Sequence, residues 1–149
     1  MSRRDEAIKI KMEKSAAFMG EVDTLLQNKF YNTLINRLYY SCFHATKALL
    51  LTKDLVSKTH SGVVSLLNQK FVFENTFDKQ HAAFFKKLME ERVEDDYGDF
   101  MIANETEVIG FIEPAKQYVE YVSKLIEGYF ANQRNENSSE SHNNDAVKN

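Results

Sequence analysis

The sequence predicts an all-α protein, one bundle of four to five helices over residues 1–130 followed by a polar tail over 131–149. Three observations predict it. Chain breakers are scarce: five Gly and one Pro in 149 residues are far fewer than a turn-rich β fold uses. Apolar residues return every three or four positions, the period of a helix. Lys, Glu, Leu and Ala, which cost little in a helix, are abundant. The 43% apolar fraction is enough for one core, and the length suits one domain.

The elements follow in order. Residues 4–27 read as a first helix, with Ile8, Met12, Met19, Val22 and Leu26 at helical spacing and a polar break at Gln27-Asn28-Lys29. Residues 30–52 read as a second, with the stripe Leu34, Leu38, Cys42, Ala45 and Leu49. Tyr39, Tyr40 and Phe43 widen that stripe, which predicts a central helix buried on several sides, and an apolar arc broad enough to meet a second copy in a homodimer. Ser57 and Thr59 are candidate N-caps for a third helix running to about Phe73, with Val63, Leu66, Leu67 and Phe71 inward. Asp78 is placed to cap a fourth, with Phe84, Phe85, Leu88 and Val93 inward and an end near Tyr97-Gly98. Asn104 and Glu107 have capping-box spacing and open a fifth helix to about Phe130. Pro114 either kinks that helix or marks a turn before a helix starting there. From Ala131 the chain is rich in Asn, Ser and Glu and buries too little to offset ordering entropy, which predicts a disordered tail.

Composition excludes several classes. The net charge is −3 with both signs dispersed, so binding of RNA would need a local site rather than a basic chain. Cys42 is the only cysteine, so an intrachain disulfide is impossible, and its place on the apolar stripe argues against a nucleophile. The first fifteen residues alternate charge and lack the apolar core of a signal peptide. No apolar run approaches the roughly 18 residues of a membrane span, so the expectation is a cytoplasmic protein away from membranes. His81, Glu90 and Glu91 form no convincing metal-ligand pattern, and no cofactor is expected.

Arg37 and His44 stand seven residues apart on the second helix, which brings them within about 20° of one direction, two turns apart. A guanidinium can grip a phosphate and an imidazole can move a proton near neutral pH, so the pair suits phosphodiester chemistry. The plainer alternative makes His44 a satisfied core histidine and Arg37 a structural ion-pair member. Around the pair, Asn36, Tyr40, Ser41 and Lys47 are the candidate cleft or substrate-binding residues. Of the two tyrosines, Tyr40, one turn from Arg37, is better placed than Tyr39 to line a cleft.

Residues 36–50, Asn-Arg-Leu-Tyr-Tyr-Ser-Cys-Phe-His-Ala-Thr-Lys-Ala-Leu-Leu, resemble the signature helix of the HEPN superfamily, most of all its small stand-alone prokaryotic branch. Lys58-Thr59-His60-Ser61-Gly62-Val63 and Arg92-Val93-Glu94-Asp95-Asp96-Tyr97-Gly98-Asp99 match the same branch, in order. The resemblance implies an antiparallel bundle that usually dimerises. It also implies a metal-independent ribonuclease using the RNA's own 2'-hydroxyl, with Arg37 and His44 as the catalytic pair. Such members act as toxins, in defence systems, or beside a nucleotidyltransferase partner. The second function class is a non-catalytic module that binds a nucleotidyltransferase antitoxin or a nucleotide. Leu38 follows the arginine where active members often carry a polar residue, and Asn36 precedes it instead. His60 reads as a capping or packing residue, and Arg92, Asp95 and Asp96 as ion-pair members at the end of the fourth helix.

Overall fold

Ser2 starts the first helix by accepting the Asp5 amide on its hydroxyl at 3.1 Å. In the computed structural model, which describes residues 1–92 and 104–147 with side chains as far as Ser138, six α-helices follow. They are α1 (Arg3–Gly20), α2 (Val22–Gln27), α3 (Tyr31–Leu51), α4 (His60–Leu67), α5 (Lys79–Glu91) and α6 (Glu105–Val147). No strand occurs among the described residues, and no helix there is long and apolar enough to cross a membrane.

The single first helix expected over 4–27 is interrupted at Gly20-Glu21, and α2 carries the short remainder inward through buried Val22. Thr59 caps α4 as expected, its hydroxyl accepting the Gly62 amide at 3.0 Å. Gly62 lies so close under Ser57 and Thr59 that a Cβ there would collide with both hydroxyls. The third helix reaches Phe73 only through a π-helical turn, Asn68–Val72. Asp78 caps α5 as expected, but that helix ends at Glu91, because Arg92 turns to extended backbone at ψ 141°. The inward Val93, the stop near Tyr97-Gly98 and the Arg92–Asp99 segment beyond its first residue lie outside the described residues.

Asn104 caps α6 by accepting the Thr106 and Glu107 amides at 2.9 and 3.3 Å. The helix runs through Pro114 without a new start, and Gly110, one turn earlier, presents no Cβ. The segment from Ala131, expected to lack structure, continues α6 to Val147. Extending a nucleated helix costs far less than starting one, and Gln133 donates back to the Tyr129 hydroxyl at 2.6 Å. Residues 134–138 are exposed, so the helix overhangs the bundle there.

Three helical segments end on left-handed residues that are not glycine: Lys29 (φ 60°), Asp54 (φ 57°) and Asn75 (φ 60°). In each case that residue's amide donates three residues back and the next amide five back, for example Lys29 to Leu26 and Phe30 to Leu25. This is the Schellman closure, with the residue that is usually glycine replaced.

α3 is the hub, packed by every other helix. Its pairing with α1 is antiparallel: Arg4 bonds Asp54, Ser15 meets Ser41, and Glu21 bonds Arg37. α5 and α6 are likewise antiparallel, as Phe77 meets Tyr121 and Phe84 meets Phe111. α3 and α6 run in the same direction, with Cys42 against the Ala115 carbonyl and Thr46 against Tyr118. The result is an up-down-up-down bundle. Between α1 and α3 the hydroxyls of Ser15 and Ser41 each donate to the other's carbonyl, at 2.7 and 2.8 Å. Two buried small residues so clasped satisfy their own polar groups and let the helices come close. Tyr39, Phe85 and Tyr118 stack in a column through α3, α5 and α6. The broad apolar arc of α3, read from sequence as surplus for a homodimer, is covered within one chain by α1, α4, α5 and α6. The arc therefore gives no reason of its own for a dimer.

Candidate functional site

Between Leu34 and Leu50, only Asn36, Arg37, Tyr40, His44 and Lys47 keep substantial contact with solvent. Arg37, Tyr40, His44 and Lys47 recur at three- and four-residue steps, so they form one stripe along α3. Five of the six residues expected at a cleft thus lie on one accessible face. Ser41 does not. It points into the α1 contact, fully buried and held by Ser15, and is removed from the cleft.

α1 and the residue that caps its end lay a second stripe alongside: Lys11, Lys14 and Phe18, then Glu21. Phe18 stacks on the His44 ring at 5.5 Å with 8° between planes, and the Arg37 guanidinium lies 5.5 Å from the same Phe18 ring centre. Arg37 Nε donates to Glu21 at 2.7 Å and Nη1 to the Asn36 side-chain oxygen at 3.1 Å. Glu21 and Asn36 therefore aim the guanidinium. Lys47 lies 5.2 Å from the Phe43 ring centre.

His44 is half-buried between Phe18, Tyr40 and Phe43. Burial, then the charges of Lys47, Lys14 and Lys11, push its pKa from the ordinary 6.5 to about 4. It is therefore a neutral base at neutral pH. Its Nδ1 is buried without a hydrogen-bond partner in the fold. Lys11 is itself pushed down, by burial first and then by Lys47 and Lys14. Cations held this close to one another repel, and an anion bound among them would relieve that repulsion. Lys11, Lys14 and Phe18 were not singled out from sequence; their i, i+3, i+7 spacing was the available signal.

At the far side of Tyr40 the other two signature segments arrive. The Tyr39 hydroxyl meets His60 Nδ1 at 2.5 Å, and Arg92 Nη1 lies 3.5 Å from that nitrogen and 3.4 Å from the Tyr40 hydroxyl. The Arg92 guanidinium sits 4.6 Å from the Tyr39 ring centre. Cys42 is fully buried, and burial pushes its thiol well above the ordinary range, which suits packing rather than attack. Among the described residues no three His, Cys, Asp or Glu side chains are grouped to hold a metal ion. A groove of about 610 Å³ runs elsewhere, between α1 and α6, with an apolar floor of Ile8, Met12, Val119 and Ile126.

The model of the HEPN domain family matches residues 8–127. A UPF0332 protein of Thermotoga maritima is 30% identical over 127 residues, 85% of this chain and 96% of the relative. A Methanocaldococcus jannaschii protein named "Putative toxin" is 31% identical over 121 residues, 81% of this chain and 90% of the relative. A second protein of that organism with the same designation is 33% identical over 86 residues, 58% of each chain.

Proposed function

The chain belongs to the HEPN domain family, and on that premise we propose that it is a metal-independent ribonuclease, the toxin or effector part of a toxin–antitoxin or defence module. The observation that carries this reading is His44: a neutral imidazole with an unpartnered buried nitrogen, ringed by Lys11, Lys14 and Lys47 and sharing Phe18 with Arg37. The names borne by the M. jannaschii relatives support the toxin role, and a toxin implies an antitoxin partner; that this partner is a nucleotidyltransferase rests on the family resemblance alone.

In this mechanism His44 removes the proton from a ribose 2'-hydroxyl. The 2'-oxygen attacks the adjacent phosphorus, the bond to the 5'-oxygen breaks, and a 2',3'-cyclic phosphate forms. The leaving 5'-oxygen takes a proton back from the His44 imidazolium. Arg37 and the lysines hold the non-bridging oxygens and stabilise the charge that grows on them. For Arg37 to reach a phosphate it must loosen from Glu21. A part-exposed ion pair costs about 1 kcal/mol or less to exchange. A homodimer, which the family likeness favours, would set a second such strip near the first.

The test is incubation of the pure protein with mixed RNAs in the presence of chelator, beside His44→Ala and Arg37→Ala. Cleavage to cyclic-phosphate ends, reduced at least about 100-fold in either variant while both melt normally, supports the reading. Intact RNA with wild-type protein sinks it. The non-catalytic binding module then stands, a reading favoured by one observation: Arg37 is already engaged by Glu21 and Asn36.

A further inference from the structure

Three lysines gather where the strip passes His44. Lys47 follows His44 by three residues on α3, about 4.5 Å further along the axis. The antiparallel register of α1, fixed by Arg4 on Asp54, Ser15 on Ser41 and Glu21 on Arg37, sets Lys11 opposite Lys47 and Lys14 beside His44. We propose that Lys11, Lys14 and Lys47 form a second phosphate subsite, which holds the phosphate next to the scissile one, so that the substrate is the interior of an RNA chain rather than an isolated dinucleotide. This inference rests on the ribonuclease reading and names the substrate class of that site.

The charges do not balance on one phosphate. Arg37 is already offset by Glu21 at 2.7 Å, and His44 is neutral. Among the described residues no carboxylate pairs with Lys11, Lys14 or Lys47. Glu13, the acid between the first two on α1, lines the groove toward α6 instead. The lysines thus bring three cationic groups, whereas a phosphodiester carries a single negative charge. One bound phosphate leaves a surplus, and the next phosphate of the same strand is the anion nearest to take it. The span has room for both: Arg37 and Lys47 lie about 15 Å apart along α3, while a stacked strand advances only about 3.4 Å per nucleotide.

The fold keeps this cluster at a cost to itself. Burial, then the charges of Lys47 and Lys14, lower the Lys11 pKa, and the Lys11 and Lys47 ammoniums are close enough for a hydrogen bond between them to add to the shift. Lys11 and Lys47 are half-buried, so their charges are screened less than that of exposed Lys14. Lysines that served stability alone would be paired with acids or spread apart; groups that break this rule without a structural gain mark a site of function. Phe43 steadies Lys47, its ring centre 5.2 Å from the ammonium nitrogen. The cations are thus gathered on two packed helices before a strand arrives, and a phosphate among them relieves repulsion that is already present.

Two measurements on the full chain test the subsite. The first is binding of a single-stranded 2'-O-methyl RNA of about eight nucleotides, which cannot be cut, over a range of salt and well below the melting temperature. The double variant Lys11→Met, Lys47→Met should flatten the slope of log K against log salt by about 0.7, the loss of one phosphate contact. It should melt no lower than wild type, because the repulsion leaves with the charges. Arginine at both positions should keep the slope. Lysines that only brace the fold would instead lower the melting temperature of the methionine variant and leave its slope unchanged, which overturns the subsite. The second measurement is cleavage of a dinucleoside monophosphate by wild-type protein, beside the same dinucleotide with an added 5'- or 3'-terminal phosphate. One of the two added phosphates should raise kcat/KM about tenfold, the worth of one charge-assisted contact, and the double variant should erase that gain. Equal kcat/KM for all three substrates overturns the subsite while the ribonuclease reading survives. A lysine-dependent slope with no cleavage of ordinary RNA has the reverse meaning: the subsite stands and the ribonuclease reading fails.

Discussion

Replacing His44 by Gln should make the protein more resistant to mild acid. The folded imidazole titrates near 4 because it is shielded by Phe18, Tyr40 and Phe43 and surrounded by Lys47, Lys14 and Lys11. In the unfolded chain it titrates near 6.5. Between these values the unfolded chain holds a proton that the folded chain does not, so stability falls as pH drops from 6.5 to about 4. Above 6.5 neither state is protonated, and below about 4 both are, so the contribution is flat outside the window. A fully enclosed group with this displacement would carry roughly 3 kcal/mol. His44 is only half-buried, and screening by water leaves on the order of 1 kcal/mol. Gln cannot titrate, so unfolding by urea at pH 7, 5.5 and 4.5 should show the variant gaining about that much on wild type across the window, about 2–4 °C in melting temperature. The carboxylates titrate in both proteins and cancel in the difference. NMR of the imidazole offers a second view. Phe18→Ala, which admits water to the ring, should raise its pKa more than Lys47→Met, because burial is the larger cause. Parallel stability curves for wild type and His44→Gln, or a ring that titrates near 6.5, would show that the site is open to water and that His44 is not held as a neutral base.

Other consequences are simpler to measure. Lys29→Gly should stabilise by about 0.5–1 kcal/mol, since glycine takes the left-handed backbone there without strain and keeps the main-chain bonds of the closure; denaturant unfolding checks the sign. Tyr118→Phe removes a buried hydroxyl that donates to Thr46 at 2.6 Å while Thr46 keeps its bond to the Cys42 carbonyl at 2.7 Å, so the cost should be about 1 kcal/mol by the same assay. We propose that the overhang of α6 is separable from the bundle: deleting residues 135–149 should leave the melting temperature within a degree or two, and a fall of about 5 °C or more would mean that it docks.

The helices were legible because their apolar period and side-chain caps are local: Thr59, Asp78 and Asn104 each act within three residues. The ends near Gln27, Thr52 and Phe73 were legible to within about a residue, although Lys29, Asp54 and Asn75 stand where a Schellman closure usually has glycine. Arg37, Tyr40, His44 and Lys47 could be found together because one helix carries them at a fixed angle. Ser41 also lies within about 40° of Arg37 by that angle, yet α1 closes over it through Ser15, and no periodicity within α3 reports where a neighbour will press.

The largest gap lies in the electrostatics. A net charge of −3 gave no sign of a local cationic face, and an average cannot give one. Lys11 and Lys14 come from α1, and Lys47 and Arg37 from α3, and only the antiparallel register of α1 on α3 gathers them along one face. Charges closer than the screening length of about 8–10 Å act together on a phosphate, while acids on the opposite side of the bundle are screened from it. On the proposed ribonuclease reading, a strand would respond to the local cluster and not to the sum over the chain. It follows that adding salt should weaken RNA binding steeply for a protein that is acidic overall, the behaviour expected when a local cationic strip, and not net charge, holds the backbone.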